Sequence, residues 1–97
     1  MANLQKVKAR IAEIAEGGRK DITVEEIAWV VSNLQRNGYE TSEKVSGPGG
    51  HGKLFRVKSE IGLEIFSVCT HRKGSPHVKR CYVDVFIKAM IQLGLYE

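Results

Sequence analysis

Two cysteines, two prolines and a 7% aromatic share leave the 97-residue chain poor in the residue types that staple, punctuate or stack. So few thiols exclude a secreted disulfide scaffold, and Cys69 and Cys81 stand too far apart for a Cys-x-x-Cys motif. Both are expected to serve as small apolar residues. Long apolar runs are missing too. The longest, Ile27-Ala28-Trp29-Val30-Val31, is far short of the roughly 20 residues a membrane span needs. The opening residues 1–6 hold no apolar signal core, so a cytoplasmic protein without a membrane partner is expected. A chain of 97 residues supports one hydrophobic core, which predicts a single domain over 1–97.

Acidic charge is absent between Glu64 and Asp84. Residues 44–83 carry Lys44, Lys53, Arg56, Lys58, Arg72, Lys73, Lys79 and Arg80 against Glu60 and Glu64, a net of +6 within a chain of formal charge +4. The segments on either side are each slightly acidic. Clustered Lys and Arg suit a polyanion such as RNA, because phosphate binding draws on such cations; a solvated loop face is the alternative.

Apolar periodicity then sets the elements. Leu4, Val7, Ile11 and Ile14 recur at helical spacing, and Gly17-Gly18 ends that helix. Thr23 and Glu26 form a capping box ahead of Ile27, Val30, Val31 and Leu34, a stripe closed by Asn37-Gly38. Trp29 falls off the narrow stripe and is read as rim packing. From Tyr39 the period changes to alternation. One strand runs through residues 39–45, a second through 53–58 and a third through 63–70, the last being the most apolar and expected at the sheet centre. Gly62 is expected to supply a positive φ in the turn between the last two. A final helix begins between Pro76 and Tyr82, buries Val83, Phe86, Ile87, Met90 and Ile91, and stops at Gly94. The order predicted is α-α-β-β-β-α, an α+β fold with a three-stranded antiparallel sheet and helices on one face.

Several chemistries have no footing here. No Gly-x-x-x-x-Gly-Lys-Ser/Thr loop occurs, and the glycine-rich residues 47–52 lead into a strand, not a helix. The three histidines and two cysteines lack zinc-ligand spacing, so no metal or other cofactor is expected. What remains is His51, in a glycine turn directly before the basic strand. An imidazole titrates near neutrality and can move a proton to or from a ribose 2′-hydroxyl or a leaving 5′-oxygen. An ordinary surface histidine in a turn is the other reading.

Three motifs in order carry a resemblance. They are Leu34-Gln35-Arg36-Asn37-Gly38-Tyr39, then Gly49-Gly50-His51-Gly52-Lys53-Leu54-Phe55-Arg56, then the helix of residues 83–95 ending in Gly94-Leu95. Together they resemble the HicA-type toxins of bacterial toxin–antitoxin pairs over residues 24–95, with residues 1–18 an additional N-terminal helix. The resemblance implies a fold like that of double-stranded-RNA-binding domains (dsRBD-like). It also implies a metal-independent endoribonuclease that cleaves mRNA and is neutralised by a HicB-like antitoxin. By position, His51 would be catalytic. Lys53, Arg56, Lys58, Arg72, Lys73, Lys79 and Arg80 are the candidate RNA-binding residues. A non-catalytic RNA-binding module reading A-form shape, or a basic protein-interaction module, would fit the same charge pattern.

Overall fold

Local signals place the helices where the sequence predicts them. In the computed structural model, residues 3–17, 21–46, 52–70 and 75–96 are described. Helix α1, Leu4–Glu16, starts at Asn3, whose side chain accepts the Lys6 N–H at 2.9 Å. Helix α2, Val24–Arg36, starts at Thr23, whose Oγ1 accepts the Glu26 N–H at 3.1 Å. Glu25 and Glu26 in its first turn and Arg36 in its last complement the helix dipole. Asn33 is buried on this helix, and its Nδ2 donates to the Trp29 carbonyl at 2.9 Å, which keeps the amide satisfied inside the core. Helix α3, Arg80–Gln92, begins inside the predicted window.

Two helices end in the same way. Beyond α2, Gly38 takes φ +98, the Tyr39 N–H reaches the Leu34 carbonyl at 3.0 Å and the Gly38 N–H reaches Gln35 at 3.2 Å. Beyond α3, Gly94 takes φ +74, with Leu95 N–H on Met90 at 2.9 Å and Gly94 N–H on Ile91 at 3.0 Å. Both are Schellman motifs, in which a left-handed glycine lets the last carbonyls find donors. Each reverses the chain at a fixed point.

Strands β1 (Glu40–Ser46), β2 (Gly52–Ser59) and β3 (Gly62–Cys69) form an antiparallel sheet in the order β1-β2-β3. The apolar third strand is therefore an edge and not the centre. Consecutive hairpins lay each strand beside the one before it, so the middle strand in sequence is the middle strand in space. Gly62 does not take a positive φ. It already pairs with Ser59 as the first residue of β3, and the Ile61 N–H on Ser59 Oγ at 3.3 Å steadies the turn.

Helices cover one face of this sheet. Phe55, Val57, Phe66 and Val68 point into the core, where Phe66 stacks on Phe55 and meets Phe86 of α3 edge-on, each at 5.6 Å between centroids. Val83, Phe86, Ile87, Ala89 and Met90 form the buried side of α3, while Ile91 is exposed. Each helical residue turns about 100° from the last, which carries Ile91 past the edge of the stripe set by Ile87. Val7, Ile11 and Ile14 of α1 join the same core as the sheet and the other helices. Among the described residues, no helix is long and apolar enough to cross a membrane.

Residues 76–79 fasten the last helix to the rest. The Val78 N–H donates to the Ile22 carbonyl at 2.8 Å, Val24 N–H to Pro76 at 3.0 Å and Lys79 N–H to Cys69 at 3.0 Å. The segment thus bridges the lead-in to α2 and the end of β3, and it fixes where α3 begins.

Candidate nucleic-acid interface

Side chains alternate across a strand, so the basic residues of β2 cannot all act together. Lys53 falls on the helix-covered side with Phe55 and Val57, and its Nζ lies 3.8 Å from Glu43 Oε2 of β1. Both side chains are half-exposed, so this ion pair orients Lys53 more than it stabilises the fold. Arg56 and Lys58 fall on the uncovered side. There Arg56 stands between Ser42 and Ile65, and Lys58 between Glu40 and Leu63. Lys44 of β1 shares that side, opposite Leu54.

Lys79 and Arg80 form a second group at the start of α3, and both are exposed. This helix end differs from the other two. Its N-cap is Lys79, with no side-chain cap bond, and like α1 it has no acid in its first turn. A helix N-terminus carries partial positive charge and unsatisfied N–H groups, so two cations there are placed against their own dipole.

Pairing brings this helix start close to the beginning of β2. Gly52 pairs with Cys69, whose carbonyl takes the Lys79 N–H. The Gly52-Lys53 end of β2, the end of β3 and the start of α3 therefore meet at one end of the sheet. His51 precedes Gly52 in the sequence but itself lies outside the described residues, as do Arg72 and Lys73.

A thiol–phenol pair also occupies this end. The hydroxyl of the half-buried Tyr82 is held above its ordinary value of 10.0, first by its side-chain hydrogen bond with Cys69 and the charge Cys69 gains on ionising. Burial and Cys81 push in the same direction. Cys69 is only half-buried and Cys81 is exposed, so neither is the buried apolar filler the sequence suggests. No local pattern announces the Tyr82 contact, because its partners are 13 residues apart in the chain. Trp29 behaves as a rim residue, 38% exposed, with the Arg10 guanidinium 5.5 Å from its ring centroid.

Among the described residues, no cluster of His, Cys, Asp or Glu has the arrangement to hold a metal ion. Compared with known proteins, the chain matches no family model, no curated sequence and no solved structure.

Proposed function

We propose that this chain binds RNA and cleaves it as a HicA-like toxin, a metal-independent endoribonuclease acting on mRNA in the cytoplasm and held in check by a HicB-like antitoxin. The observation that carries the RNA-binding part is the start of α3, where Lys79 and Arg80 stand at an N-terminus with no side-chain cap and no first-turn acid. Cations and helix N–H groups converging on one point are how proteins grip a phosphate without reading sequence. Lys53 lies at the same end of the sheet, ion-paired with Glu43. The α-β-β-β-α order from α2 onward matches what the resemblance implies.

Cleavage rests on the three ordered motifs and on His51. RNA carries its own 2′-hydroxyl nucleophile, so the protein needs to position the phosphodiester, neutralise its charge and move a proton. His51 supplies the proton transfer in this proposal, and the cations at the sheet end supply the rest. A non-catalytic RNA-binding module on the same fold is the second reading. Gly50 favours it, because the family carries a serine before its histidine.

Incubating purified protein with a long RNA, with and without chelator, tests both. Cleavage that survives chelator, and falls roughly 10² to 10⁴-fold in His51→Ala, is the expected result. RNA bound but left intact would select the second reading. Failure to bind RNA at low salt would overturn both.

A further inference from the structure

We propose that the uncovered face of the sheet is a docking surface for an acidic amphipathic helix of another protein. It does not depend on RNA cleavage. With the helices packed on one side, the other side of β1-β2-β3 is left open, and register settles what it displays. Arg56 and Lys58 form a basic column on β2. Beside them on β3 stand their cross-strand partners Ile65 and Leu63, 56% and 42% exposed. A groove of about 360 Å³ is lined by Ser42, Glu43, Lys44, Leu54, Arg56 and Ile65, two cations against one acid.

The spacing fits a helix lying along the strands. Alternate residues of a strand are separated by roughly 6.7 Å, and helical residues four apart by roughly 6 Å. Two acids one turn apart can therefore reach Arg56 and Lys58 while the adjoining stripe of Leu or Ile covers Leu63 and Ile65. The surface thus selects a partner by charge and by apolar contact at once.

Other occupants fit less well. Sheet faces that bind single-stranded RNA stack bases on aromatic rings, and the described residues here offer Leu54, Leu63 and Ile65 instead. A second copy of the chain would bring Lys44, Arg56 and Lys58 against the same three cations, with Glu40 beside Lys58 and Glu43 at the groove as the acids to set against them.

The probe is a synthetic helical peptide of about 16 residues, ~24 Å long, with Glu and Leu on adjoining stripes. Its control carries Lys in place of every Glu. Titrated into isotope-labelled full-length protein, the acidic peptide should shift the amides of Lys44, Leu54, Arg56 and Ile65, and the control should not. Arg56→Glu with Lys58→Glu should weaken binding at least about tenfold. Ile65→Thr should weaken it too with little change in the thermal midpoint, because Thr keeps the β-branched shape a half-exposed strand position favours. Equal binding of both peptides, or no binding, would overturn the proposal. So would RNA shifting these amides in the peptide's place, or self-association through this face.

Discussion

Lys53 and Arg56, three residues apart on β2, stand on opposite faces of the sheet. One side chain reaches toward Glu43 on the helix-covered side, and the other stands beside Ile65 on the open side. The basic block of residues 44–83 is thus two surfaces in its described part. One is the end of the sheet with the start of α3, proposed above for phosphate, and the other is the open face, proposed above for a protein partner.

That division predicts how salt acts on RNA affinity. Lys79→Ala with Arg80→Ala should flatten the slope of log affinity against log salt by roughly 0.7 to 0.9 for each phosphate left without its cation. Arg56→Ala with Lys58→Ala should leave the slope near that of the unmodified protein. Equal flattening in both double variants would mean that RNA wraps both faces.

The same cations should oppose stability. Lys79 and Arg80 sit against the dipole of α3, where a capping oxygen or an acid is favoured. Lys79→Ser with Arg80→Glu should therefore raise unfolding stability by about 0.5 to 2 kcal/mol while RNA affinity falls. Chemical denaturation alongside RNA titration reads both changes. Lower stability in this variant would mean that the two cations hold the fold together.

Tyr82 should titrate late and make the fold sensitive to alkali. Its folded value lies above the ordinary 10.0, so the folded state keeps its proton while the unfolded chain gives it up. Stability from this group is complete below pH 10.0 and is lost as pH climbs through the raised value. Ultraviolet titration of the phenols should show one late component that moves toward the ordinary value in Cys69→Ala. Tyr82→Phe should flatten the fall in stability at high pH.

Helix α1 should behave as core. Ile11 is fully buried and shares one cluster with the residues of α2, α3 and the sheet. Ile11→Ala should cost about 2 to 5 kcal/mol, as large-to-small changes in a packed interior do. A cost below ~1 kcal/mol would mark α1 as an appendage.

What the sequence determined by itself is whatever acts over a few residues. Asn3 and Thr23 cap, Gly38 and Gly94 reverse the chain, and the stripes of Ile27, Val30, Leu34 and Val83, Phe86, Met90 face inward because their spacing leaves them on one side of a helix. These signals set the element order and nearly all of the helix bounds. The odd spacing of Lys53 and Arg56 on a strand divides them between two faces, although both stand in one candidate RNA-binding set when only the sequence is read. Which face the helices would cover was not legible in the sequence. That choice follows from Phe55 and Phe66 packing under Phe86, a contact across more than one element. The exposure of Ile65 and the meeting of Gly52, Cys69 and Lys79 at one end of the sheet have the same origin. Hydrogen bonds and apolar contacts between residues far apart in the chain form only when the whole core closes, so tertiary packing alone decided them.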